Sequence, residues 1–183
     1  MNRMFYVFDE PERFVAGTVG MPGERAFFLQ ARKGNRLVSV ALEKTQVYVL
    51  ADRLSDLLDQ IEQDEDVDTN HYGPADLEPL DNPIQEEFSV GALSLGWNPD
   101  KLQVIIEAHA LTEDDADVPE IEDDTLIGPD VLRVRFSPAL ARAFATRAMA
   151  VVAAGRPPCP LCEQPLDARG HICPRANGFR RRG

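Results

Sequence analysis

Three cysteines and one histidine near the end of the chain have the types and the spacing of metal ligands. Cys159, Cys162, His171 and Cys173 form the pattern C-x2-C-x8-H-x-C, and the first 158 residues contain no cysteine. Zinc prefers thiolate and imidazole ligands in a tetrahedral set of four. The pattern therefore predicts a Cys3His zinc site, with Cys159 and Cys162 on the turn of a zinc knuckle.

The same cysteines could instead form a disulfide or a redox-active C-x-x-C motif. Three cysteines cannot all pair, the N-terminal segment does not resemble a secretory signal, and no βαβ pattern precedes the motif. We therefore favour zinc. Four protein ligands close the coordination sphere, which is typical of structural zinc. A catalytic zinc keeps one position for water, and here it would require that His171 is not a ligand.

Two predicted strands carry a second set of chemically capable side chains. Glu107 and His109 are two residues apart, as are Arg133 and Arg135, so each pair projects from one face of its strand. On neighbouring strands, the arginines could hold a phosphate or carboxylate, and Glu107 or His109 could move a proton. The favoured alternative is a solvated sheet face with cross-strand ion pairs.

An α+β fold is predicted to position both sets: a mostly antiparallel sheet, two principal helices and a small C-terminal zinc knuckle. Helical apolar spacing predicts one helix from about Lys44 to Gln63, and a second from Pro138, capped by Ser137, to Gly155. Residues 1–155 are expected to form the α+β domain and 156–183 the zinc-knuckle tail. Strands are predicted at Met4–Phe8, Arg13–Val19, Arg25–Arg32, Leu37–Leu42, Glu87–Leu95, Lys101–Leu111 and Val131–Phe136, with a turn at 96–100.

Two acidic segments separate these elements. Residues 62–83 are interpreted as a solvated linker, because carboxylates crowd its start and prolines follow. Residues 113–124 hold eight carboxylates in twelve positions and are interpreted as a mobile loop.

Charge and hydropathy narrow the class of partner. The net charge is −12, yet residues 155–183 carry six arginines against Glu163 and Asp167. This basic tail would suit a polyanion, although a solubilising role is favoured. An acidic body is unsuited to lie along a phosphate backbone, so nucleic acid is disfavoured and stays open only through the tail. No apolar run approaches the ~20 residues that span a bilayer. A cytoplasmic protein without a membrane partner is therefore expected.

Several segments also resemble a known family. RFVAGTVGMPGERAFFLQA, LGW followed by VIIEAHA, VLRVRFSPALARAFA and GRPPCPLCEQPLDARGHICPR are together similar to an uncharacterised actinobacterial family, domain of unknown function 3090. The resemblance covers essentially the whole chain. It implies an intracellular actinobacterial protein, of a family whose members tend to be encoded beside a histidine-phosphatase-like and a kinase-like protein. It implies no activity and no catalytic residue.

Two functions from different classes follow. The favoured hypothesis is a non-enzymatic binding or adaptor protein, whose acidic α+β body carries a structural zinc knuckle as the docking surface for a protein partner. The alternative is a small-molecule or phosphoester-related enzyme that uses Glu107, His109, Arg133 and Arg135. It requires that these side chains converge in a concavity, with Trp97 or Phe136 on its wall.

Overall fold

Seven strands and two helices account for most of the chain. The computed structural model describes residues 2–21, 23–113, 117–154, 159–163, 173 and 175. The elements are β1 (Phe5–Asp9), β2 (Arg13–Val19), β3 (Ala26–Lys33), β4 (Arg36–Leu42), α1 (Lys44–Glu65), β5 (Glu86–Asn98), β6 (Gln103–Ala110), β7 (Val131–Phe136) and α2 (Pro138–Ala153).

The strands form one sheet in the order β1-β7-β6-β5-β4-β3-β2. Four of the six neighbouring pairs are antiparallel, and β1–β7 and β4–β5 are parallel. The predicted α+β class with a mostly antiparallel sheet is confirmed. The parallel pairs follow from long connections, since α1 and the segment after it carry the chain from the end of β4 back to the start of β5.

The sheet curls strongly, so that its two ends approach each other. Only residues 10–12 separate β1, at one edge, from β2, at the other. Arg36 Nη1, on β4, donates a hydrogen bond of 3.0 Å to the carbonyl of Val7 on β1. Lys33 of β3 likewise donates to the carbonyl of Asp9. The curled sheet thereby encloses much of its own core.

Both helices bury their apolar residues against one face of this sheet. The predicted spacing of α1 is confirmed, because its buried residues are Val47, Leu50, Ala51, Leu54, Leu58 and Ile61. Each such leucine contributes about 1.5–3 kcal/mol on burial. In α2, Ser137 caps the first turn as predicted, and Phe144 stacks on Phe14 of β2 with ring centroids 4.6 Å apart. Neither helix of the described residues is long and apolar enough to cross a membrane.

The predicted turn at 96–100 is wrong in its position. β5 continues through Gly96 and Trp97 to Asn98, and Leu102 in the following turn has a φ of 50°. Ile121 explains why glycine occurs inside this strand, since its Cδ1 lies 2.6 Å from where a Cβ of Gly96 would stand. Glycine here allows the close approach of a covering segment.

Parts of the two acidic segments cover the sheet face that the helices leave open. Leu80, from the first, is 5% exposed and packs with Val15 and Phe28. Interpreting residues 62–83 as a solvated linker is therefore wrong for this part. In the second segment, Glu122 and Asp124 are bound to β6 and β7 through hydrogen bonds and ion pairs. Residues 114–116 lie outside the described residues.

Replacing Gly17 tests the packing of Leu80 on the sheet. A Cβ at Gly17 would lie 2.4 Å from Leu80 Cδ2. Gly17→Ala is therefore expected to lower the free energy of unfolding by about 1–3 kcal/mol. In a Leu80→Ala background the same change should be neutral, or stabilising by up to about 1 kcal/mol, because the clash is gone and the unfolded chain is restricted. Urea unfolding of the parent, the two single variants and the double variant measures the coupling between Gly17 and Leu80. Equal losses of unfolding free energy in both backgrounds would contradict the packing.

Candidate functional site

The sulfur atoms of the three cysteines converge. Those of Cys159, Cys162 and Cys173 all lie within 4.8 Å of one another, and Cys159 and Cys173 are 3.8 Å apart. A tetrahedral metal with metal–sulfur bonds of about 2.3 Å holds its sulfurs about 3.8 Å apart. A disulfide requires about 2.05 Å, and none is formed. Three cysteines 14 residues apart at most are thus arranged so that they could hold a metal ion.

The local backbone suits thiolate ligands. The Glu163 N–H donates a 2.8 Å hydrogen bond to the carbonyl of Cys159, closing a turn in which Glu163 has a φ of 60°. Hydrogen bonds from the backbone N–H groups of Leu161 and then Cys162 lower the pKa of the Cys159 thiol below its ordinary value. Arg175 Nη1 donates to the carbonyl of Leu161 at 2.9 Å. The turn therefore presents donors to a sulfur that would carry negative charge.

The fourth predicted ligand cannot be placed. His171 lies outside the described residues, as do residues 156–158, which would join the tail to α2. The structure thus brings together the three cysteines of the predicted set. The division into 1–155 and 156–183 stays a prediction.

The second predicted set is brought together on the face opposite the helices. Glu107 of β6 and Arg133 of β7 are directly paired, with Arg133 Nε 2.5 Å from Glu107 Oε1. His109 Nε2 lies 3.3 Å from Glu107 Oε2, at ion-pair distance but without the alignment of a hydrogen bond. Glu107, His109 and Arg133 are 0%, 1% and 2% exposed. We call these three residues and Arg3 the buried charge cluster.

The buried charge cluster is covered by residues that no sequence pattern singled out. The Glu122 N–H donates to Glu107 Oε1 at 2.8 Å, and Arg133 Nη1 donates to Asp124 Oδ1 at 2.7 Å. Arg3 is 4% exposed, with Nη1 bonded to the carbonyl of Asp123 and Nη2 3.5 Å from His109 Nδ1. Arg3 precedes the first strand, and its sequence neighbours give no sign that it is buried. Its partner Asp123 lies 120 positions further along the chain. The expected cross-strand ion pairing is confirmed for Glu107 and Arg133, but the expectation of a solvated sheet face is wrong, because the covering segment buries these side chains.

Arg135 and the two proposed wall residues are placed differently. Arg135 stays at the rim, with bonds of 2.8 Å to both Asp9 Oδ1 and Glu122 Oε1. Phe136 is the next residue along β7 and packs in the core under the helices, as Trp97 partly does. Strand alternation puts Phe136 on the opposite face from Arg133 and Arg135. The aromatic wall expected for an enzyme site is therefore not formed by these two residues.

Electrostatics keep the central pair of the cluster charged. Burial alone would raise the pKa of Glu107, but His109, the Glu122 N–H and Arg133 together bring it below its ordinary value. Burial likewise acts to lower the pKa of Arg133, and its bonds to Asp124 and Glu107 outweigh that effect and raise it. A charged, bonded pair of this kind holds the covering segment on the sheet.

The sequence profile of a family described as protein of unknown function (DUF3090) matches residues 6–173. The chain belongs to this family. The match extends from β1 to the third cysteine, so it takes in the cysteine cluster and every residue of the buried charge cluster except Arg3. No characterised protein and no solved structure matches it. What the DUF3090 chain does must therefore be argued from its own geometry.

Glu107→Gln tests whether the cluster stabilises the fold. The change leaves Arg133 buried without its carboxylate and should cost about 3–5 kcal/mol at neutral pH. Because folding lowers the pKa of Glu107, its contribution is present above the unfolded value of about 4.3 and is lost as the pH falls through the folded value. The stability gap between parent and variant should therefore narrow in acid, as measured by urea unfolding at several pH values. The exposed Glu120→Gln should stay within about 0.5 kcal/mol, and a gap that does not depend on pH would contradict this account.

Proposed function

We propose that this DUF3090 protein is a zinc-binding, non-enzymatic binding or adaptor protein. One structural zinc ion is held by Cys159, Cys162 and Cys173, with His171 as the fourth ligand. The observation that supports this most is the 3.8 Å separation of the Cys159 and Cys173 sulfurs, which fits tetrahedral thiolate ligation.

Ligand chemistry selects zinc among the common metals. Calcium and magnesium take oxygen ligands, whereas thiolates with an imidazole suit zinc in a closed tetrahedral site. Such a site supplies structure and no reaction, since no position is left for water or substrate. A reducing, cytoplasmic compartment would keep the three thiols available for the metal.

The role of the metal is to order a segment that has little core of its own. Among the described residues after α2, only Cys159 and Cys173 are buried. In small modules of this kind, the free energy of metal binding drives folding. The ordered tail would then present its arginines to a protein partner beside the acidic body.

Metal analysis tests the zinc site directly. Protein purified without chelators should contain about one zinc ion per chain. His171→Ala should weaken zinc binding more than about 100-fold, because losing a ligand costs more than losing a group that orients one. His171→Cys should retain the metal, and His71→Ala, the matched control, should leave affinity unchanged. Chelator competition measures these affinities, and far less than one zinc with intact thiols would overturn the proposal.

The same variants test the tail and its partner. Cys159→Ser, Cys162→Ser and Cys173→Ser should each disorder the tail and leave the signals of the α+β body unchanged in NMR spectra. A protein captured by the zinc-loaded chain should be lost with His171→Ala and kept with His71→Ala. Global unfolding of all three serine variants would contradict a separate tail, and capture that ignores His171 would contradict docking through it.

The enzyme alternative rests on one favourable observation. Glu107 Oε2 and His109 Nε2 face each other at 3.3 Å, and neither has a hydrogen-bond partner among the described residues. Proton transfer to a substrate would require the segment around Glu122 to leave the sheet. Hydrogen exchange of the Glu122 amide, which bonds to Glu107, reports that opening. We expect slow exchange close to the global unfolding limit; fast exchange under native conditions would favour the enzyme.

A further inference from the structure

A cleft of about 640 Å³ lies between α2, β2 and the segment 70–77. We call it the α2 cleft. Its walls are largely apolar and include Phe14, Leu140, Phe144 and Leu77. Pockets of about 300–1,000 Å³ with apolar walls and a few polar groups are typical small-molecule sites. The cleft lies apart from the buried charge cluster, and none of the three cysteines lines it.

In two of the arginines that line the α2 cleft, every side-chain nitrogen donates a hydrogen bond within the chain. Arg13 bonds through its three nitrogens to Asp76 and to the carbonyls of Glu78 and Pro79. Arg147 bonds to Asp76 and to the carbonyls of Ala16 and Glu78. These two side chains fasten the segment 76–79 to β2 and α2, and so build one wall of the cleft.

Arg142 differs from them because it retains hydrogen-bond donors. Its Nη2 donates to Asp59 Oδ1 and Thr69 Oγ1, both at 2.8 Å. Within the part of the chain that the structure describes, its Nε and Nη1 make no hydrogen bond. Asp59 does not line the cleft and its side chain is 61% exposed, so it is a weak partner. The Arg142 guanidinium is therefore available to an anion.

The other charged side chains of the cleft are largely paired with one another. Asp76 lies 2.7 Å from Arg13 and 3.0 Å from Arg147, and Asp81 lies 3.2 Å from Arg13. Burial lowers the pKa of Arg147, an effect that Asp76 opposes and nearby Arg13 reinforces. Glu12 also lines the cleft, so the charges at this end are largely balanced, and Arg142 is the guanidinium that retains donors for an anion.

We propose that the α2 cleft binds a small amphiphilic organic anion. Its apolar body lies against Leu140 and Leu77, the exposed apolar side chains of the cleft, and its acidic group, a carboxylate, sulfonate or phosphate, pairs with Arg142. The apolar area provides affinity, and the guanidinium selects charge and orientation. This site gives the binding protein a small-molecule ligand, and it does not depend on the metal centre.

Fluorescence titration of the full, zinc-loaded chain tests the site with anilinonaphthalene sulfonate, an aromatic anion. The uncharged phenylnaphthylamine serves as the matched neutral probe. One saturable site for the sulfonate is expected, and Arg142→Gln should weaken it about tenfold. Asp59→Asn should strengthen it, because Arg142 loses a competing carboxylate. Ala150→Trp, at an exposed position that lines the cleft, should block both probes.

Two controls locate the binding. Ala153→Trp lies on the same helix outside the cleft, and Arg53→Gln lies in the separate groove between α1 and β5. Both should leave the sulfonate affinity within about twofold of the parent. Thermal unfolding shows whether Arg142→Gln disturbs folding through the lost hydrogen bond to Thr69. If it does, the sulfonate affinities of Ala150→Trp and Asp59→Asn still test the site. Absent binding, binding unaffected by Ala150→Trp, or equal affinity for the neutral probe would overturn the proposal.

Discussion

The ion pair between Glu107 and Arg133 lies on the sheet face that neither helix covers. Both side chains are almost completely buried. Removing two charges from water costs several kcal/mol per ion unless further hydrogen bonds satisfy them. The chain meets most of this requirement with a backbone N–H from Glu122 and a carboxylate from Asp124, while Glu107 Oε2 has no hydrogen-bond partner among the described residues. The acidic segment is therefore held as a structural layer, and the order of that face depends on this pair.

The same arrangement recurs at the other end of the sheet. Arg13 and Arg147 bind the carboxylate of Asp76 and the backbone carbonyl of Glu78, which fastens the connection between α1 and β5 across β2. A guanidinium has five donors in a fixed plane, so one side chain can join a carboxylate and several carbonyls. Individual arginines thereby fix segments of the chain that carry many carboxylates.

Local and long-range contacts differ in how far they could be predicted from the sequence. The helices and strands follow from local periodicity, and the position of Ser137 before Pro138 fixed the start of α2. The pairing of Glu107 with Arg133 required only two-residue spacing and adjacent strands. The parallel pairs, and the burial of Arg3 and Leu80, depend on partners more than 45 residues away. Local composition carries no trace of such contacts, so carboxylates that are bonded in the fold were interpreted as solvated.

The hydrogen-bonding state of each arginine separates structure from function in this protein. Every nitrogen of Arg13, Arg133 and Arg147 donates a bond within the chain, so a ligand could bind them only by displacing part of the fold. Arg142 uses one nitrogen, and its carboxylate partner is largely solvated. Among the arginines that line the α2 cleft, Arg142 is therefore the one at which recognition of an anion should be sought. The buried charge cluster, despite its catalytic residue types, has already committed most of its polar atoms to the fold.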